Sequence, residues 1–204
     1  NYECYKGLYS ALNSMNLFEI VHSLKRQYGP EQWTLYKGKH LLCFADNHDV
    51  TRAASILQNP AHLPLMYGIL FGMPGIPCVY YGSEWGALGD KSQGDDALRP
   101  CFDGPEWNEL TDTIAAMAKA HQESEALCWG DFQDLVLTNK QTVFQRRTDG
   151  ERVLVAVNAD SQPFTAHFDA GCGRAVDLIT GQEHDFGGGS ELPPYSVFFW
   201  KCER

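Results

Sequence analysis

The stretch Leu41-Leu42-Cys43-Phe44-Ala45-Asp46-Asn47-His48-Asp49 passes abruptly from five apolar residues to four polar ones. A continuous apolar run of this length reads as a strand covered on both faces, and its polar end lies just past the strand's carboxyl terminus. Ile76-Pro77-Cys78-Val79-Tyr80-Tyr81 repeats the pattern and stops at Gly82. Between the two, Leu63 to Met73 is apolar nearly all round, which suits a helix pressed between layers and closed by Pro74-Gly75. Upstream, Leu17, Ile20, Val21 and Leu24 recur at helical spacing within Asn16 to Tyr28, before the stop at Gly29-Pro30. Downstream, a long polar loop from Ser83 to Gly104 leads to Pro105. The fixed φ of Pro105 suits the first turn of a helix reaching about Ser124 through Leu110, Ile114, Met117 and Ala118. Helix, strand, helix, strand, helix implies parallel strands joined by right-handed crossovers.

The grammar changes near Ala126. Short runs follow at Leu135-Val136-Leu137, Val143-Phe144-Gln145, Val153 to Asn158, Phe164 to Phe168, Ala175 to Ile179 and Ser196 to Trp200. Such spacing predicts an antiparallel sandwich, with Asp149-Gly150 as a tight hairpin turn of positive φ. The chain therefore divides into an α/β part, residues 1–125, and an all-β part, residues 126–204.

Composition limits the partners. Against 16 Lys and Arg stand 26 Asp and Glu, a net charge of −10, which argues against nucleic acid or an anionic membrane surface. No stretch reaches the roughly 18 apolar residues of a membrane span. Seven cysteines, without a C-x-x-C pair and partly inside apolar runs, read as reduced core thiols, in keeping with a cytoplasmic protein. Seven histidines form no H-x-x-x-H pair and no Cys/His cluster, so no metal site is expected. The length, 204 residues, is short of the roughly 250 of a complete α/β barrel.

Polar residues crowded at the carboxyl end of a buried parallel strand mark an active-site rim. At Asp46-Asn47-His48-Asp49, an imidazole nitrogen and a carboxylate can grip adjacent sugar hydroxyls, one donating and one accepting. The carboxylate would also stabilise positive charge developing on a sugar ring. The plainer alternative is a helix N-cap with a solvated turn, for which Asn and Asp are favoured anyway.

Phe44-Ala45-Asp46-Asn47-His48-Asp49, with Arg52 three positions on, closely resembles the fourth signature region of the α-amylase family of glycoside hydrolases. Met73 to Glu84 is similar to the stretch containing that family's eighth barrel strand, and Gly94-Asp95-Asp96-Ala97-Leu98-Arg99-Pro100 to its following loop. Asn1-Tyr2-Glu3 and Gly7-Leu8-Tyr9-Ser10 resemble the sequence after the sixth strand, particularly in intracellular maltodextrin-degrading members of the neopullulanase and maltogenic amylase kind. The resemblance implies the carboxyl-terminal part of a (β/α)8 barrel, about strands 7 and 8 with helices 6 to 8, followed by the family's β-sandwich domain C. It implies that Asp49 is the transition-state stabiliser and that His48 binds the same sugar. Arg52 either touches substrate or, in the favoured reading, orders the loop behind Asp49. Arg99 either reaches sugar hydroxyls or pairs with Asp95 or Asp96. Trp85, in the rim loop, is expected to stack on a sugar, whereas Trp107 and Trp200 are expected in the core.

Retaining glycosidases need a nucleophile and an acid/base carboxyl roughly 5–5.5 Å apart. In the family these come from the fourth and fifth strands. Glu19, Glu84, Asp90, Asp95 and Asp96 do not match their motifs. The expectation is thus a fragment of an α-glucan hydrolase, inactive alone, with a maltooligosaccharide as substrate and a tendency to self-associate. No cofactor is implied, and calcium in the parent is left open. The alternative is a noncatalytic carbohydrate-binding or interaction module.

Overall fold

The computed structural model describes residues 1–203. The chain begins with α1 (Tyr2–Asn13) and α2 (Phe18–Tyr28), then runs through β1 (Leu42–Phe44), the short α3 (Ala53–Ile56) and α4 (Leu63–Gly72) to β2 (Ile76–Cys78). After three single 3-10 turns come α5 (Glu109–Glu123) and α6 (Glu125–Trp129). The remainder is strands: β3 (Asp131–Leu137), β4 (Gln141–Arg147), β5 (Arg152–Asn158), β6 (Phe164–Ala166), β7 (Arg174–Asp177), β8 (Glu183–Asp185), β9 (Ser190–Leu192) and β10 (Ser196–Cys202).

β1 and β2 pair in parallel, with Leu42 opposite Ile76 and Phe44 opposite Cys78. Because side chains alternate across a strand, these four share one face, on which Leu42 and Ile76 are about half exposed. Cys43 points the other way and is buried. The helix α1 was not foreseen, although Cys4, Leu8 and Leu12 recur every four residues and all are buried. Asn1 caps it by accepting from the Cys4 amide at 3.1 Å.

The strands form a six-stranded sheet, β3-β4-β5-β10-β7-β8, and a two-stranded sheet, β6-β9. Alternation gives the large sheet two apolar faces. Phe144, Val153, Val155, Val157 and Phe199 join the core built by α1, α2, α4 and α5, while Val143, Leu154, Ala156 and Trp200 pack with Ala166 and Leu192 of the small sheet. Helix α4 is buried from Leu65 to Gly72, as its uniformly apolar sequence requires. It approaches the sheet so closely that a Cβ on Gly68 would stand 2.6 Å from Val197 and one on Gly72 2.8 Å from Val155. Helical and β parts thus share one apolar core.

Three expectations are corrected. Cys172 and Cys202 form a disulfide, so not all seven cysteines are reduced thiols; Cys4 and Cys43 are buried and free, and Cys101 is exposed. The turn at Asp149-Gly150 does join β4 to β5, but neither residue has positive φ. Instead the Thr148 hydroxyl accepts from the amides of Gly150 and Glu151, which satisfies a tight turn without the left-handed region. Trp107, expected in the core, is 67% exposed, its indole nitrogen donating to Asp112 at 2.8 Å. The short strands β8 and β9 were not legible in sequence because Glu183-His184-Asp185 and Ser190-Glu191-Leu192 offer almost no apolar residue to alternate.

Candidate active site

The loop leaving β1 carries the candidate chemistry. Asn47 folds it by accepting from the Asp49 amide at 2.8 Å and donating to the Tyr2 hydroxyl at 3.1 Å. This Asx turn lifts His48 and Asp49 to the surface, where both side chains are about half exposed. His48 Nε2 lies 3.1 Å from Asp49 Oδ2, and Arg99 Nη2 lies 3.1 Å from Asp49 Oδ1. Both carboxylate oxygens are thereby oriented by cationic or N–H groups. Arg99 also donates from Nε to the His48 carbonyl at 3.2 Å and sits 3.7 Å from Asp95, which Lys91 holds at 2.5 Å. Of the two alternatives read from sequence, the structure shows the pairing of Arg99 with Asp95; its contacts to His48 and Asp49 were not anticipated.

Behind the loop the character changes from exposed to buried. Asp46 accepts from the Ala53 amide at 2.8 Å and from the Ser83 hydroxyl at 2.7 Å. Burial pushes its carboxyl up, opposed by the Ala53 and Ser83 hydrogen bonds and by Arg52. Arg52 is fully buried, donating to the Tyr81 carbonyl at 2.7 Å and to Ser83 at 3.1 Å, with its guanidinium 4.2 Å over the Tyr80 ring. Arg52 thus lies behind the exposed His48-Asp49 loop, with no exposed surface of its own. Gly82 makes the adjoining turn with φ +85°, and a Cβ there would meet Phe102 at 2.7 Å.

Trp85 lies in the loop after β2, as expected, but packed partly away from solvent. It is half-buried, edge-on to Phe102 at 5.1 Å, its indole nitrogen buried and its carbonyl accepting from Asn108 at the start of α5. No hydrogen bond or ring contact among the described residues joins it to His48, Asp49 or Arg99. The exposed indole on this loop is that of Trp107. Among the described residues no group of three or more His, Cys, Asp or Glu could hold a metal ion, and no helix is long and apolar enough to cross a membrane.

The family model for the α-amylase catalytic domain matches residues 8–161. The chain belongs to the α-amylase family. A cyclomaltodextrin glucanotransferase from Bacillus sp. (strain 6.6.3) is 26% identical over 147 residues, 72% of this chain and 20% of that protein. A cyclomaltodextrinase from Geobacillus thermopakistaniensis is 24% identical over 200 residues, 92% of this chain and 32% of that protein. Among solved structures, an Anoxybacillus α-amylase superposes with a TM-score of 0.84 at 22% identity, covering 99% of this chain and 46% of that one. The α-amylase-family chain thus spans a fifth to a third of these curated relatives and under half of the structural one.

Within this α-amylase-family site, Ser83 and Asp46 are functional candidates that sequence reading missed. In the sequence Asp46 is one polar residue among four, and Ser83 is the first residue of a long polar loop. The one signal available was a charged residue directly after a buried strand, since burying a carboxylate requires partners.

Proposed function

We propose that this chain is the carboxyl-terminal part of a retaining α-glucan hydrolase. β1 and β2 correspond to the seventh and eighth barrel strands, residues 1–125 to the barrel remainder and residues 126–204 to domain C. The observation that carries this reading is the His48–Asp49 pair, contacted by Arg99, at the carboxyl end of a parallel strand. Asp49 supplies negative charge to an oxocarbenium-like transition state and accepts from sugar hydroxyls, while His48 hydrogen-bonds the same ring. The family membership and the cyclomaltodextrin-related names of two relatives support an α-glucan or maltooligosaccharide as substrate.

The nucleophile and the acid/base lie outside these 204 residues. Asp46 cannot serve as either, being 2% exposed and tied to Ser83 and Ala53. Asp95 is engaged by Lys91 and Arg99. The 204-residue chain alone is therefore inactive. It also self-associates, because β1 and β2 each have an unpaired edge and their shared face exposes Leu42 and Ile76. A monodisperse monomer in light scattering would count against that. The apolar core shared by helices and sheet weighs against the all-β part acting as a separate binding module. The Cys172–Cys202 disulfide favours an oxidising compartment over the cytoplasmic one expected from sequence.

The test is Asp49→Asn in the full-length protein. It should bind maltooligosaccharides with little change and lose most turnover; wild-type turnover would rule out the role.

A further inference from the structure

The exposed contacts that orient Asp49 cannot by themselves hold its loop still. Ion pairs between solvated side chains contribute little net stability, and those of Asp49 with His48 and Arg99 are of that kind. A fixed position must come from the buried side. The five residues Asn47 to Thr51 are bracketed by Asp46 and Arg52, which are 2% and 0% exposed. Asp46 closes the loop on itself by accepting from the Ala53 amide, and the Arg52 amide donates to Gly89 across to the other loop at 2.9 Å.

Ser83, 2% exposed, is where the two loops meet. Its hydroxyl lies 2.7 and 2.9 Å from the two oxygens of Asp46 and 3.1 Å from Nη1 of Arg52. A hydroxyl has one proton and two lone pairs, so Ser83 donates to the carboxylate and accepts from the guanidinium at once. It bridges a buried anion to a buried cation that make no direct ion pair of their own. The Ser83 amide is itself fixed, donating to the Tyr80 carbonyl at 3.0 Å.

We propose that Asp46 and Ser83, completed by Arg52, form a buried latch that positions Asp49 for reaction by locking the loop after β1 to the loop after β2. Ser83 and Asp46 are then positioning residues, and this inference rests on the function proposed above. Removing the hydroxyl leaves a buried carboxylate and a buried guanidinium each one partner short, which costs more than a missing contact on the surface. The strain falls on the loop between Asp46 and Arg52, because both groups belong to its ends.

The experiment compares Ser83→Ala with Ser83→Thr in the full-length protein, reading kcat and KM on maltooligosaccharides and amide hydrogen exchange over residues 45–54. Ser83→Ala should lower kcat by about 10- to 100-fold with KM changed by no more than about twofold, as for a misplaced catalytic group. It should also speed exchange in that segment. Ser83→Thr keeps the hydroxyl and should restore both. Wild-type kcat in Ser83→Ala, or equal impairment of the two variants, would overturn the latch. If the wild-type protein hydrolyses no maltooligosaccharide, the proposed function fails instead. Hydrogen exchange then decides the latch alone, and unchanged exchange in Ser83→Ala overturns it.

Discussion

Arg99 donates from Nη2 to Asp49 Oδ1 at 3.1 Å across a sequence separation of 50 residues, and from Nε to the carbonyl of His48 at 3.2 Å. One guanidinium thus reaches a backbone and a side chain of the same loop, from two nitrogens that the planar fork of arginine holds apart at fixed geometry and a single lysine ammonium lacks. In the full-length protein, Arg99→Ala should lower kcat/KM on maltooligosaccharides about tenfold, the equivalent of one hydrogen bond to a charged group. Arg99→Lys should recover only part of the loss. Full activity in Arg99→Ala would show that the clamp is dispensable.

Arg146 joins the two parts of the molecule. It is 1% exposed, on β4, and donates to the carbonyl of Gly72 at the end of α4 at 2.9 Å and to that of Gly130 at 3.0 Å. Burial pulls its pKa down to about 10, yet it stays charged at neutral pH. Arg146→Ala empties a large buried volume and leaves two carbonyls without donors, and should destabilise the fold by about 3 kcal/mol. Urea unfolding checks this. A loss within about 0.5 kcal/mol, the range of an ordinary surface substitution, would contradict the assignment.

Glu151 ties β5 to α6 and β10. Burial raises its carboxyl, but donation from the Ala126 amide, Lys201 and Ser124 outweighs burial, and its pKa lies below the ordinary 4.5. A depressed folded pKa contributes stability that is present above the unfolded value and lost as pH falls through the folded one. Glu151→Gln should therefore be less stable than wild type at neutral pH, with the gap closing as pH drops below 4.5. Unfolding midpoints across that range provide the measurement; a gap that widens in acid would reverse the sign.

The disulfide between Cys172 and Cys202 closes a loop with a sequence separation of 30 residues. Cross-linking a loop of that size stabilises by about 3–4 kcal/mol in the chain-entropy account. Cys172→Ser should lower stability by an amount of that order, and reductant should mimic it in the wild type. Alkylation of the unfolded protein without reductant should label five of the seven cysteines. Labelling of all seven would remove both the bond and the argument for an oxidising compartment.

How far the sequence reached can be followed residue by residue. The segments that became α2, β1, α4, β2 and α5 were legible because apolar periodicity is a local property, readable within about 11–18 residues. Uniform apolarity from Leu65 to Gly72 likewise announced a helix buried on all sides. His48 and Asp49 were legible because polar residues directly after a buried strand are a local anomaly. The exposure of Trp85 and Trp107 was not legible, since it depends on what packs against an indole and not on its neighbours in the chain. Phe102 half-covers Trp85, whereas Trp107 at the mouth of α5 is left open.

Local pattern, then, set the alternation of helix and strand, the move to an antiparallel β part and the identity of the two rim residues. Tertiary structure alone decided what holds those residues in place. Ser83 meets Asp46 across a separation of 37 residues, Arg99 meets Asp49 across 50, and Arg146 meets Gly72 across 74. Hydrogen bonds require partners within about 3 Å at favourable angles. No periodicity along a chain encodes that closeness; it exists only once β1, β2 and α4 have packed and brought their loops to one end.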